Sequence, residues 1–217
     1  MAFFDFLLGG PAGQIKRHAR RVANRDAQPE DRETSAHWLS ENGTEDALFA
    51  LCARFALQLE HGMKDRKEKD LVFELLAGHG APGALVSKRW ARENLQFHYA
   101  VRVVERVEGP DAALRLLLEL LGEEKLENEF KPEKKRNLLI ALADRRHTDI
   151  VEGAQRFLGD FDEGVRHAAI EAIAAQEGTA AEPLLREALR NPTEESTRIR
   201  GRLTEIFQQR RWELPTA

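Results

Sequence analysis

The residues best suited to chemistry in this sequence are cations, which concentrate in two stretches. Residues 14–25 contain five Lys or Arg and no acid, a local charge of +5, and residues 196–212 contain five Arg and one Glu, a local charge of +4. A basic surface of this kind can hold phosphates or an acidic protein segment. Charge runs more often form the solvated face of a helix, and we expect this for both stretches. In the second stretch, the binding alternative rests on Arg198, Arg200 and Arg202.

Catalytic chemistry has no comparable pattern in the sequence. The seven histidines are scattered singly, and none forms a pair at the spacing of a metal-binding motif. The single cysteine, Cys52, excludes an internal disulfide, and its apolar neighbours favour a core residue over a reactive thiol. We therefore predict a protein that is not an enzyme, with no catalytic residue, no metal and no cofactor.

The elements that would have to position the cations are helices. In residues 165–189, VRHAAIEAIAAQEGTAAEPLLREAL, apolar residues recur at the spacing of a helix with one buried face, stop near Gly178 and then resume. A glycine can end a helix in the left-handed conformation without a side-chain clash. The same turn recurs at Gly43, Gly80 and Gly109 and, with histidine in the place of glycine, at His147. The intervals between these turns are typical of a helical repeat array.

This pattern predicts an all-α chain of helical pairs without a sheet. Each pair covers the apolar side of the next pair, so the core would run along the array. The predicted helices span residues 13–25, 30–41, 45–60, 67–78, 82–92, 95–107, 111–121, 133–145, 149–158, 163–176, 180–190 and 193–209. We expect three parts: an apolar segment at 1–12, the repeat domain at 13–209 and a tail at 210–217.

The overall composition is that of a globular helical protein. The chain has 217 residues, of which 42% are hydrophobic and 32% charged, and its net charge is −4. It is too apolar for a disordered chain, and its acidic balance disfavours general binding to nucleic acid. No apolar run approaches the length of a membrane span, and residues 1–10 (MAFFDFLLGG) lack the features of a signal sequence. We expect a cytoplasmic protein.

One unit of the sequence resembles a known family. Residues 158–191 have an acidic turn, a Val-Arg pair, an Ala-rich first helix, a glycine turn and a second helix with paired leucines. This pattern is similar to the bacterial HEAT repeats that are also called PBS-lyase (phycobilin-lyase) HEAT-like repeats. The matching residues are Asp160, Asp162, Val165, Arg166, Ala168, Ala169, Ala172, Gly178, Leu184, Leu185 and Leu189.

The resemblance implies a right-handed α-α superhelix, a solenoid of about five to six helical pairs. It also implies a scaffold or adaptor, so the expected partner is a protein or peptide. Two alternatives stay open: nucleic-acid binding, as in the HEAT-like DNA glycosylases, and a tetrapyrrole lyase-like protein, which rests on analogy of fold alone. For a glycosylase, the residues able to stack on a base would be Trp38, Trp90, Phe97, Tyr99 and Trp212, although we expect these rings to pack in the core or at its edge.

The predicted binding surface consists of the second helices of successive units. Its candidate residues lie off the apolar stripes and are expected to be exposed. They are Arg54, Lys88, Arg92, Arg115, Glu119, Arg156, Arg186 and Arg190. A separate candidate is the apolar cluster Phe3, Phe4, Phe6, Leu7 and Leu8. This cluster could dock onto a partner or onto a membrane surface. The alternative, which we prefer, is that it caps the first repeat.

Overall fold

The computed structural model of the chain describes residues 10–126 and 132–215, which contain helices and no strand. The α-helices are α1 (Pro11–Val22), α2 (Pro29–Asn42), α3 (Glu45–Leu51), α4 (Gly62–Gly78), α5 (Ala81–Glu93), α6 (His98–Glu108), α7 (Pro110–Glu123), α8 (Pro132–Ala143), α9 (Thr148–Gln155), α10 (Glu163–Ala174), α11 (Ala181–Arg190) and α12 (Thr197–Arg210). Two 3-10 turns, Cys52–Ala56 and Arg156–Gly159, continue α3 and α9. No helix in the described ranges is long and apolar enough to cross a membrane.

The all-α prediction is confirmed, and each predicted helix corresponds in order to an α-helix of the described residues. The predicted bounds differ most at the end of α3, predicted at residue 60, at the start of α4, predicted at 67, and at the start of α12, predicted at 193. Helix α12 begins at Thr197, because the Ser196 hydroxyl accepts a hydrogen bond from the backbone N–H of Ile199 and caps it. The side chain of Asn191 closes a tight turn at Thr193 instead of starting a helix.

The glycine turns predicted from the sequence have the expected backbone conformation. A positive φ occurs at Gly43 (66°), Gly80 (59°), Gly109 (93°) and Gly178 (93°). A side chain in this region would be strained, which explains why glycine recurs there. The turn at His147 has a different geometry. Its backbone is extended, and its ring Nδ1 accepts a hydrogen bond from the N–H of Asp149. There, a histidine cap replaces the left-handed turn.

The described residues up to Ala113 form one compact unit, which we call unit 1. Its helices α2, α4 and α6 pack one against the next, and α3 packs against α5. The approach of α5 to α4 is very close, because a Cβ atom at Gly83 would lie 1.9 Å from the carbonyl oxygen of Leu76. Cys52 is fully buried, and burial raises the pKa of its thiol to about 12, which confirms the prediction of a core residue.

The described residues from Leu114 onward form a second compact unit, unit 2. Helix α10 is central to it and packs against α8, α9, α11 and α12. Its buried face combines three small residues, among them the fully buried Ala169 and Ala172, with three larger ones, Val165, Ile170 and Ile173. Small side chains permit close approach of neighbouring helices, and the larger buried rings of Phe157 and Phe207 fill the space beside them. The Ala-rich pattern of this helix therefore reflects its central position.

The apolar cluster Phe3, Phe4, Phe6, Leu7 and Leu8 lies outside the described residues, so its role as a cap or docking element stays a prediction. The same holds for the three predicted parts at 1–12, 13–209 and 210–217.

Candidate functional site

A groove of about 810 Å³ lies in unit 2 between the second helices α9 and α11. Its lining includes the apolar side chains of Leu158, Ile170, Leu184, Ala188 and Ile199. Ile170 and Ile199 belong to the buried core, whereas Leu184 and Ala188 are half-buried and reach solvent. A concave surface with partly exposed apolar walls is the kind of site at which a partner buries an anchoring side chain.

Charged side chains also line this groove. Glu187 and Arg190 of α11 are exposed, and neither has an ion-pair partner among the described residues. Arg156 is differently placed, because its guanidinium donates to the carbonyl oxygens of Leu121 at 2.6 Å and Glu124 at 2.8 Å. It therefore holds the end of α7, while Glu187 and Arg190 are available to a ligand.

An ion pair fixes the loop that forms one wall of the groove. The Arg166 guanidinium donates to both carboxylate oxygens of Glu194, at 2.7 and 3.0 Å. It also donates to the backbone carbonyls of Asp160 and Phe161, at 2.9 and 3.0 Å. Bidentate pairs of this kind hold a definite geometry. The first turn of α10 is thereby tied to the loop that precedes α12.

The preceding step of unit 2 contains an equivalent pair, Lys135 and Asp160. The Lys135 Nζ lies 2.6 Å from a carboxylate oxygen of Asp160, and both side chains are 1% exposed. Lys135 and Arg166 are each the fourth residue of their helix, α8 or α10, and Asp160 and Glu194 each lie three residues before the next first helix. The two pairs therefore repeat one arrangement from one helical pair to the next.

The fourth residue of α12 is again a cation, Arg200. Its guanidinium donates to the carbonyl oxygens of Glu194 at 2.8 Å and Asn191 at 2.9 Å, and no carboxylate of the described residues pairs with it. Arg202, one turn away from Arg198 on the same helix, donates to both carboxylate oxygens of Glu171, at 2.5 and 2.9 Å. These two arginines consequently hold parts of unit 2 together.

The cations of these pairs shift the pKa values of the carboxylates that they contact. Burial acting alone would raise the pKa of Glu194, but the hydrogen bonds from Arg166 and from the N–H of Ser196 outweigh it and lower the pKa. The hydrogen bond from Arg202 likewise lowers the pKa of Glu171. Both carboxylates are thus ionised at neutral pH and held by full charges.

One predicted binding residue is wrongly placed by the sequence. Arg54 was expected to be exposed, but its side chain is 1% exposed and donates to Glu68 and Asp65, each at 2.9 Å. The chain tightens into a 3-10 turn after Leu51, and this turn directs Arg54 toward α4 instead of solvent. The sequence predicts one continuous helix over residues 45–60, and such a helix would place Arg54 on its exposed face.

The other predicted binding residues are spread over both units. In unit 1, Arg92 is exposed and Lys88 is half-buried, with its ammonium 2.6 Å from Glu108. Exposed in unit 2 are Arg115, Glu119, Arg156, Arg190 and Arg198, whereas Arg186, Arg200 and Arg202 are half-buried. Of these, the groove between α9 and α11 includes Arg156 and Arg190.

The five aromatic candidates are packed, as the sequence predicts. Trp90 is 7% exposed and donates from its indole to the carbonyl of Gln96, and Phe97 is fully buried. Trp38, Tyr99 and Trp212 each lie against another aromatic ring, with centroid distances of 4.2, 5.3 and 5.3 Å. Within residues 10–126 and 132–215, no group of three His, Cys, Asp or Glu side chains could hold a metal ion.

Comparison with known proteins concerns the same part of unit 2. The family model for HEAT repeats matches residues 123–203, which include all the residues of the groove and both repeated ion pairs. This part of the chain is similar to HEAT repeats. This confirms the resemblance that residues 158–191 carry in the sequence. Neither the curated proteins nor the solved structures contained a match to the chain.

Only one of the two partners in each ion pair of this part of unit 2 was identified from the sequence. Asp160 and Arg166 were recognised as parts of the family pattern, but their partners Lys135 and Glu194 were not. Lys135 could have been found, since it has the same position after the start of its helix as Arg166. Glu194 could not, because the predicted start of the last helix at residue 193 placed it inside the helix.

Proposed function

We propose that this chain is a non-catalytic scaffold that binds a protein segment in the groove between α9 and α11. HEAT repeats are commonly protein-interaction scaffolds. The observation that carries the proposal is a groove of about 810 Å³ within these repeats, with half-buried apolar walls and unpaired charges at its edge. A cytoplasmic location, predicted from the sequence, is part of the same proposal.

The lining indicates which chemistry the partner segment should have. An apolar side chain can pack beside Leu184 and Ala188 in the groove, and burying a side chain of leucine size contributes about 1.5–3 kcal/mol. Arg190 favours a carboxylate beside this anchor, and Glu187 favours a cation. The expected ligand is therefore a segment with an apolar anchor flanked by charges of both signs.

The walls of the groove are held in place before any ligand arrives. Arg166 fixes the loop at Glu194, and Arg156 holds the end of α7 through backbone carbonyls. A site whose parts are already ordered loses less conformational entropy on binding. The ion pairs thus support binding indirectly by maintaining the shape of the groove.

Nucleic-acid binding at the second basic stretch has less support. Arg200 and Arg202 are engaged with groups of the protein, and exposed Arg198 lies 3.5 Å from the carboxylate of Glu163. Phosphate binding would have to compete with these interactions. A tetrapyrrole lyase-like function gains no support from the described residues.

The proposal is tested by selecting ligands from a library of random peptides displayed on phage. The variant Ala188→Arg fills the groove from a half-buried position, and Ile140→Arg places the same residue on α8, where the native side chain is 47% exposed and lies outside the groove. Peptides selected on the wild-type chain should lose binding to Ala188→Arg and keep it with Ile140→Arg. Equal binding to all three proteins would contradict the groove as the site.

A further inference from the structure

The outer face of α1 is a continuous basic surface in unit 1. Lys16, Arg17, Arg20 and Arg21 are all exposed, and none has an ion-pair partner among the described residues. With Asn24 and Asp31, they line a shallow hollow of about 470 Å³. Because residues at i and i+4 lie on the same face of a helix, Lys16 with Arg20 and Arg17 with Arg21 form two adjacent rows of cations. We call them the α1 basic face.

The opposite side of α1 holds this surface firmly on unit 1. Val22 is fully buried, and the His18 ring stacks on Trp38 with a centroid distance of 4.2 Å. After α1, the chain is fixed by Arg32, whose guanidinium donates to the carbonyls of Asn24, Arg25 and Ala27. The buried side is thus apolar and aromatic, and the exposed side is cationic.

The charge distribution makes this face distinctive. The chain carries −4 in total, residues 14–25 contribute +5 and residues 196–212 contribute +4. In the second stretch, Arg198 and Arg202 lie against the carboxylates of Glu163 and Glu171, whereas the four cations of α1 have no ion-pair partner among the described residues. A negatively charged surface would therefore attract the α1 basic face most directly. We propose that the α1 basic face binds the surface of an anionic lipid bilayer.

The neighbouring sequence favours lipid over nucleic acid as the anionic partner. Immediately before α1, the sequence MAFFDFLLGG supplies five large apolar residues in six positions, Phe3 to Leu8. Apolar side chains beside a cluster of cations strengthen attachment to a bilayer, where they can enter the boundary between headgroups and acyl chains. A nucleic-acid backbone offers them no such environment. Lipid binding here is independent of the groove in unit 2.

The test is co-sedimentation of the full chain with phosphatidylcholine vesicles that either contain or lack phosphatidylserine, at physiological and high salt. The variant Arg17→Glu/Arg21→Glu reverses two charges of the face. The matched control, Arg66→Glu/Lys67→Glu, makes the same change in net charge at exposed residues of α4. Each cation near an anionic membrane contributes about fivefold to binding, so the double reversal should reduce it at least about 25-fold.

The proposal predicts binding that requires phosphatidylserine, disappears at high salt, is lost in Arg17→Glu/Arg21→Glu and persists in Arg66→Glu/Lys67→Glu. Binding to both vesicle types alike, no binding, or equal loss in both variants would overturn it. A second variant, Phe4→Ser/Phe6→Ser, should weaken vesicle binding while leaving its salt dependence unchanged. If this variant binds vesicles like the wild type, the apolar residues take no part, and the argument for lipid over nucleic acid is wrong. If duplex DNA or RNA binds the chain more tightly than phosphatidylserine vesicles do, and this binding is lost in Arg17→Glu/Arg21→Glu, the anionic partner is nucleic acid and the lipid proposal is overturned.

Discussion

Units 1 and 2 both place a cation at the fourth residue of a first helix, but they supply its carboxylate differently. In unit 2, Lys135 pairs with Asp160 and Arg166 pairs with Glu194, one cation to one carboxylate at each step. Both carboxylates come from the same position before the following first helix. The arrangement can therefore be repeated at every helical pair.

Unit 1 gathers the corresponding charges into one network. Arg32, the fourth residue of α2, donates to both oxygens of Glu68 at 2.8 Å. Glu68 also accepts from Arg54, which in turn pairs with Asp65, and Asp65 pairs with Lys69 at 2.6 Å. Three cations share two carboxylates, and both carboxylates come from α4 itself.

The difference between the ion pairs of the two units coincides with the extent of the HEAT-repeat match, which lies in unit 2. The fourth residue of α4 is Asp65, and that of α6 is Val101, so the periodic cation is lost after Arg32. The HEAT-repeat match covers residues 123–203, where the one-to-one spacing persists. Unit 1 therefore keeps the plan of packed helices without this one-to-one spacing of ion pairs.

The largest expected effect comes from breaking the most deeply buried pair of unit 2. Asp160→Asn keeps the shape of the side chain but leaves the Lys135 charge buried without a counterion, and it should lower the free energy of unfolding by about 3–5 kcal/mol. Denaturant unfolding, with hydrogen exchange in α10, measures this loss. The double variant Lys135→Met/Asp160→Asn removes both charges and should recover most of it. If the single variant is as stable as the wild type, the pair does not hold unit 2 together.

A smaller loss is expected from the shared carboxylate of unit 1. Glu68→Gln breaks two ion pairs, yet Arg54 keeps Asp65, and Glu68 is 14% exposed, so we expect a loss of about 2–3 kcal/mol. Hydrogen exchange in α4 is the measurement. A loss of stability larger than that of Asp160→Asn would show that the remaining carboxylate does not compensate for Glu68. The proposed difference between the shared network of unit 1 and the single pairs of unit 2 would then be wrong.

The smallest effect is a shared dependence on pH. Hydrogen bonds and charges from their cations lower the pKa of Glu68 in unit 1 and of Glu171 and Glu194 in unit 2, although burial opposes this. A carboxylate with a lowered pKa contributes stability above its unfolded pKa of 4.5 and loses it as the pH falls through the folded value. Both units should therefore lose stability progressively below about pH 4.5. Thermal unfolding that does not change between pH 6 and pH 3 would refute the pKa shifts.

The fold could be predicted well because its signals are local. The spacing of apolar residues and the turns at Gly43 and Gly178 define helices without knowledge of their neighbours. The ion pairs and the groove depend on residues far apart in sequence and on helix bounds within a few positions. The start of the last helix was predicted four residues before Thr197, which concealed the role of Glu194 as an ion-pair partner. The 3-10 turn after Leu51 was not foreseen, and it directs the Arg54 side chain into the interior instead of solvent. Local periodicity cannot supply that information.

The most direct test of protein binding in the HEAT-repeat groove is site-specific crosslinking in lysate of the source cells. A photoreactive amino acid replaces exposed Glu187 in the groove and, in a matched protein, exposed Ile140 on α8. The account predicts a discrete protein adduct from position 187 that is absent from position 140 and is lost when Ala188→Arg fills the groove. The same adducts from both positions, or none from position 187, would contradict it.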